Sequence, residues 1–238
     1  EGGRIIALRA DTDALPIQEA TGADYASQHP GAMHACGHDA HTAALLYAAA
    51  ELSHMRDAWR GEIRLLFQPA EEIGQGARVF IREGHLKGVD RVFGLHVTSL
   101  LPTGKIALRS GPTNASCDYF RTVVRGKGAH VSMPQAGVDA LYAASQIVVA
   151  LQAIAARQTS PLDSIIVGVG TLRAGTVYNA IAEEAVLEGT TRSFDPVTRE
   201  RVNSAVVRIA RQTAEVSGAT AETEFRDYAA PLVNDATA

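Results

Sequence analysis

Over roughly its first hundred residues the chain alternates short apolar, β-prone segments with helical ones, and this alternation narrows the fold more than any other feature. Residues 4–8 are apolar and lead into the polar loop Asp11-Thr12-Asp13. Residues 42–52, rich in Ala and Leu, read as a helix, with Asp39 placed to cap its N-terminus. Residues 63–67 read as a strand halted by Pro69, 75–83 as a helix ended by Gly84, and 91–97 as another strand. Strands alternating with helices imply an α/β fold with a largely parallel sheet covered on both faces.

After Gly104 the texture changes. Residues 119–125 alternate as a strand, 137–157 form a long helical run, and 164–172 and 185–192 are strand candidates. Residues 196–217 are helical, with Val202, Val206 and Ile209 at helical spacing, and 220–225 are again strand-like. Two helices with β-pairs around them predict a compact α+β domain over residues 113–224. The expected organisation is a first domain at 1–112, the inserted domain at 113–224, and a return toward the first domain at 225–238. At about 150 residues per domain, 238 residues amount to roughly one and a half domains. The chain opens on Glu1 and already reads as a strand by Gly3, so it is expected to be an internal piece of something longer, with any leader peptide left open.

Composition removes several function classes. A net charge of -4 offers no basic footprint for nucleic acid. No apolar run is expected to reach the roughly 18 residues of a membrane helix, the richest stretch, 147–156, being interrupted by Gln152. Two cysteines, Cys36 and Cys117, are too few for a disulfide framework and fit a reducing compartment, so the cytoplasm is the expected location. Cys117 reads as a small core residue. No Gly-x-Ser-x-Gly element supplies a nucleophile elbow. Gly126-Lys127-Gly128-Ala129-His130 lacks the Walker spacing and reads as a glycine-rich turn, and Gly168-Val169-Gly170 as strand packing.

Five of the eight histidines fall between His29 and His54. The dense part is Met33-His34-Ala35-Cys36-Gly37-His38-Asp39-Ala40-His41. Cys36 and His38 can turn toward one ion because Gly37 tolerates a tight backbone, and thiolate with imidazole suits zinc or another borderline first-row metal. A polar loop at a helix start is the ordinary alternative. Glu71-Glu72 after one strand, His96 at the end of the next, and Asp11 and Asp13 after the first are each unremarkable alone. Together they gather on one edge of a parallel sheet, where open α/β sheets bind ligands. Cys36, His38, Glu72 and His96 are then ligand types, Glu71 is free to act on water, and Asp11 and Asp13 can orient a ligand from behind. This combination predicts a metallohydrolase.

Residues 9–16, 33–42, 67–72 and Gly94-Leu95-His96 resemble the aminoacylase/carboxypeptidase family of dinuclear metallopeptidases, most closely its amidohydrolase branch of hippurate hydrolases, N-acyl-amino-acid amidohydrolases and auxin-conjugate hydrolases. The resemblance runs over nearly the whole chain. It implies a zinc-exopeptidase-like catalytic domain, incomplete here, with an inserted ferredoxin-like lid or dimerisation domain. It implies Cys36, His38, Glu72 and His96 as ligands of two divalent ions, manganese or zinc, with cobalt and nickel also compatible. Glu71 matches the general base and Asp13 a motif aspartate near the metals. His130 matches a lid histidine that reaches the partner subunit's active site and polarises the substrate carbonyl. Asn179 matches a substrate-contacting asparagine, although Ala180-Ile181-Ala182 follows it where the family usually has Val-Ile-Pro. The family also supplies a late histidine ligand, and no histidine follows His130 here.

The implied reaction is hydrolysis of an N-acyl amino acid to a carboxylic acid and a free amino acid, in a homodimer with no nucleic-acid or membrane partner. A dipeptidase or carboxypeptidase of the same family is the nearest alternative. Cys36-Gly37-His38 argues against it, since peptidase branches more often carry an aspartate in that loop. A non-catalytic metal- or peptide-binding relic is the competing class.

Overall fold

The structure, a computed structural model, describes residues 2–237. It is a mixed α/β chain of two compact units that meet in sequence between Leu108 and Arg109.

The first unit carries β1 (Ile5–Asp11), α1 (His38–His54), β2 (Glu62–Gln68), α2 (Gly76–Arg82) and β3 (Arg91–Gly94). The three strands form a parallel sheet in the order β2-β1-β3. Ala7 and Ala10 on β1 are buried, with Leu66 of β2 and Leu45 of α1. Because the pairings are parallel, Asp11, Gln68 and Gly94 close their strands at one edge. The chain leaves β1 toward β2 on one side and returns to β3 on the other, so the strand order reverses beside β1, where such sheets hold ligands.

Two local expectations change here. Asp39 does not cap α1: the helix begins at His38, its N-cap is Gly37 at φ 84°, and no side chain caps it. The last strand is shorter than 91–97 and ends at Gly94, which leaves His96 in the loop beyond it.

The second unit carries β4 (Gly111–Asn114), β5 (Cys117–Arg125), α3 (Ala140–Leu151), α4 (Ala153–Arg157), β6 (Ile165–Ala174), β7 (Glu184–Ser193), α5 (Pro196–Val216), β8 (Thr220–Ala229) and β9 (Leu232–Asn234). Four strands make an antiparallel sheet in the order β6-β7-β5-β8. With α3 and α5 between them, the chain order is β-α-β-β-α-β. Both helices are capped as their sequences dictate. Asp139 Oδ1 accepts the N–H groups of Leu141 and Tyr142, and Asp195 Oδ2 accepts that of Thr198, with Pro196 opening the helix. Alternate residues of β5 point inward, so Phe120 and Val124 meet Ile147, Leu151, Leu187 and Val206 in one core. Each such side chain, fully buried, contributes about 1.5–3 kcal/mol.

The 137–157 run is not one helix. Asp139 starts it later, and it breaks at Gln152. Residues 140–157 are nevertheless long and apolar enough to cross a membrane by length and composition alone, contrary to the expectation that no run is. Their buried face, Ala140, Ala143, Ala144, Ile147, Leu151 and Ile154, belongs to the core of this unit.

Residues 225–237, expected to return toward the first domain, stay with the second unit. β8 continues pairing with β5 as far as Ala229, and β9 pairs with β4. Cys117 is half-buried at the start of β5, and the bulge between Val169 and Thr171 accommodates Gly170.

Candidate metal centre

The site of the first unit is built where the three parallel strands end. From β1, Asp11 closes the strand and Asp13 lies two residues on. From β2, Pro69-Ala70-Glu71-Glu72 follows Gln68. From β3, His96 and Val97 follow Gly94 and Leu95. His38 and His41 occupy the first turn of α1, preceded by Cys36 and Gly37.

Two backbone features make this convergence possible. Gly37 takes a left-handed conformation, and a Cβ there would come 2.4 Å from Val97 Cγ2. The Cys36 loop therefore lies directly against the His96 loop. Ala70 is left-handed at φ 54° without being glycine, and its carbonyl accepts the N–H groups of Gln75 and Gly76. A Cβ on Gly76 would approach the Pro69 carbonyl oxygen to 1.7 Å, so the loop that presents Glu71 and Glu72 can close only on glycine.

The donor atoms face one another. Cys36 Sγ is 3.4 Å from His96 Nε2. His38 Nε2 is 3.8 Å from Glu72 Oε1 and 3.7 Å from Asp11 Oδ2. Cys36, His38 and His96 can each offer one ligand atom within 4.8 Å of the others, and so can His38, Glu71 and Glu72. His38 is shared between the two groups. The expected ligands Cys36, His38, Glu72 and His96 are thus brought together, with Glu71 and Asp13 beside them.

Hydrogen bonding decides which atoms are free. His38 Nδ1 donates to the Asp13 carbonyl at 2.9 Å, leaving Nε2 as its open nitrogen. His96 Nδ1 donates to its neighbour's carbonyl at Val97, 2.6 Å away, so its Nε2 points at Cys36. Asp13 Oδ2 accepts the Glu72 N–H at 3.0 Å. Among the described residues, three buried side-chain atoms have no hydrogen-bond partner: His38 Nε2, Glu72 Oε1 and Asp13 Oδ1. Buried polar atoms are rarely left unpaired, and a nitrogen and two carboxylate oxygens are donors that suit a divalent ion.

The electrostatics agree. Burial, and then the charge of Glu72, push the Cys36 thiol above its usual range. Burial and the Glu72 charge likewise hold Glu71 above the ordinary carboxylate range. A cation among these groups would relieve both costs, because it favours thiolate and carboxylate together. Asp13 moves the other way: burial opposes ionisation, but the N–H groups of Glu72, Glu71 and Asp13 itself outweigh it. Asp11 is also lowered, against burial, by the His41 hydrogen bond and then the Arg9 guanidinium.

Reading the residues alone placed no role on His41, Arg9 or Gln68. Arg9 donates to Gln68 Oε1 at 2.9 Å and to Asp11 Oδ2 at 2.8 Å, bracing the ends of β1 and β2. In the sequence Arg9 and Gln68 stand out by their place at strand ends, and His41 by its place in the histidine cluster.

His130 and Asn179 lie in the second unit, at an open cleft of about 720 Å³. The Val131 N–H donates to the Asn179 carbonyl, and His130 bridges to Ala180, so the two residues share one loop pair. His130 Nδ1 accepts from the Ser132 N–H at 3.2 Å and is 2.8 Å from its hydroxyl. A backbone N–H only donates, so the ring proton lies on the other nitrogen, Nε2, and the residue is exposed.

Beside the ends of a parallel α/β sheet, a thiol, two imidazole nitrogens and paired carboxylates gather into a donor set that suits a divalent ion, and so define a candidate metal centre on an α/β fold. The comparisons place that fold in a family. Residues 7–236 match the sequence profile of Peptidase family M20/M25/M40, and the chain belongs to that family. It is 46% identical over 233 residues to the N-acetyl-L-cysteine deacetylase of Bacillus subtilis (strain 168), covering 98% of this chain and 56% of that one. It is 43% identical over 233 residues to the N-acyl-L-amino acid amidohydrolase of Geobacillus stearothermophilus, covering 98% and 63%. A solved Bacillus subtilis structure, titled a dinuclear metal binding peptidase of the M20 family, superposes with a TM-score of 0.83 at 40% identity, covering 100% of this chain and 61% of that one. The chain therefore spans less than two thirds of the length of these relatives.

Proposed function

We propose that the protein is a metal-dependent amidohydrolase that cleaves the amide bond of N-acyl amino acids, giving a carboxylic acid and a free amino acid. One observation carries this reading most directly. His38 Nε2, Glu72 Oε1 and Asp13 Oδ1 are buried, unpaired and grouped beside Cys36 and His96. The names of the deacetylase and amidohydrolase relatives support the choice of N-acyl amino acids.

Cys36, His38, Glu72 and His96 would hold two divalent ions, manganese or zinc, with Asp13 supporting from behind. Bound there, the ions supply Lewis acidity toward a carbonyl oxygen and lower the pKa of water toward neutrality. Glu71 takes the proton of the attacking water and hands it to the departing amine nitrogen. His130, carrying its proton on Nε2, is a donor suited to a developing oxyanion, and Asn179 beside it is suited to hold the substrate. In this reading the second unit is a lid and dimerisation domain, and its His130 serves the partner's site.

The test is hydrolysis of N-acetyl- and N-benzoyl-amino acids after loading with manganese, zinc or cobalt. Amino acid release is expected, and Glu71→Gln should lower kcat by about 10²–10⁴ with metal content kept. Full activity in Glu71→Gln, or no release with any of the metals, would refute the reading.

A further inference from the structure

His41 is chemically a ligand candidate, because its nitrogens lie with those of Asp11 and His38 in a third group of suitable donors. Its hydrogen bonds say otherwise. The ring is buried at 1% exposure. Its Nε2 accepts the backbone N–H of Val97 at 2.9 Å, and an N–H can only donate. The ring proton is therefore on Nδ1, which donates to Asp11 Oδ1 at 2.6 Å. Both nitrogens are committed, and no lone pair is left for an ion.

The two bonds join parts of the site that come from different strands. Asp11 ends β1, and Val97 directly follows His96 in the loop after β3. Helix α1 carries His41 three residues after His38, so one turn of helix presents both rings. The His41 ring also packs edge-on against His96, with centroids 4.6 Å apart, and lies 5.5 Å from the His38 ring.

We propose that His41 is a positioning residue rather than a ligand: through Val97 it holds the His96 loop against the Cys36-Gly37-His38 turn, and through Asp11 it anchors that assembly to β1. This rests on the metal-centre reading above. It adds that the third group of donors is a structural clamp, and that it sets how tightly the other residues hold an ion.

Zinc competition with a chromophoric chelator, on the full chain, supplies the first test. His41→Leu breaks both bonds. His41→Gln keeps an acceptor near Val97, and His41→Asn keeps a donor near Asp11, so either carries the test if His41→Leu does not fold. Zinc affinity should fall by about 10–100-fold in the variants, while the number of ions bound stays that of the unsubstituted chain. Nitrogen-15 NMR of the imidazoles supplies the second. On zinc loading, His38 and His96 should show the shift of a ligating nitrogen at Nε2, with His41 remaining protonated on Nδ1 and unshifted on Nε2.

Unchanged zinc affinity in all folded variants would overturn the proposal, and so would a ligation shift at His41 Nε2. If the unsubstituted chain takes up no zinc at all, the metal-centre reading itself falls, an outcome distinct from both.

Discussion

Cys36 Sγ and His96 Nε2 face each other at 3.4 Å although 60 residues separate them in the chain. Nothing local brings them together. The pairing follows from β1 and β3 being parallel neighbours, and from Gly37 letting the Cys36 turn lie flat against Val97.

Gly37→Ala tests that contact. The new methyl would meet Val97 Cγ2 at 2.4 Å on a backbone at φ 84°. A left-handed alanine alone costs about 1–2 kcal/mol, and the displaced Val97 would carry His96 with it. Urea unfolding should show a loss of that size, and zinc competition an affinity lower by about tenfold or more. Values equal to those of the unsubstituted chain would mean the two loops are not in contact.

Gly76→Ala probes the carboxylate loop in the same way. Its Cβ would overlap the Pro69 carbonyl, which cannot give way without moving Ala70, Glu71 and Glu72. Overpacking of this kind costs on the order of 1–3 kcal/mol. Chemical denaturation should register it, and metal uptake should weaken in parallel. A variant that takes up metal normally would show that the loop position does not control the ligands.

Much of this arrangement is legible in the sequence. Glu71 and Glu72 are adjacent to an apolar strand, so their place at a strand end could be read directly. Cys36 and His38 share a short loop with a glycine. The alternation of strands and helices implied parallel pairing, though not the order β2-β1-β3, which depends on which side of β1 each crossover chooses. His41 was visible in the histidine cluster but its role was not. That role depends on which lone pairs are already occupied, and the occupant is a backbone N–H 56 residues away. Asp39 failed as a cap for a related reason: the glycine that frees the Cys36 turn also starts the helix earlier. In the second unit, the inward and outward alternation of β5 was plain, whereas the break of the long helix at Gln152 and the pairing of β9 with β4 depend on tertiary contacts.

The second unit has its own electrostatic signature. Glu188 accepts hydrogen bonds from the Tyr119 hydroxyl, the Arg173 guanidinium and the Thr171 hydroxyl, which lower its pKa from 4.5 to about 2. A depressed carboxylate contributes stability that is present above its unfolded pKa and lost as pH falls through the folded one. Urea midpoints followed downward from pH 5 toward pH 2 should therefore decline less steeply in Glu188→Gln than in the unsubstituted chain, by whatever share of the slope this group carries. Superimposable profiles would show that the Tyr119, Arg173 and Thr171 contacts do not persist in solution.

Cobalt(II) titration followed by near-ultraviolet absorption tests whether this chain's own thiolate and imidazoles hold the metal. A thiolate-to-cobalt charge-transfer band should grow with added cobalt, persist in Cys117→Ser and vanish in Cys36→Ser. A titration with no such band, or a band that survives in Cys36→Ser, would show that Cys36 does not ligate the metal.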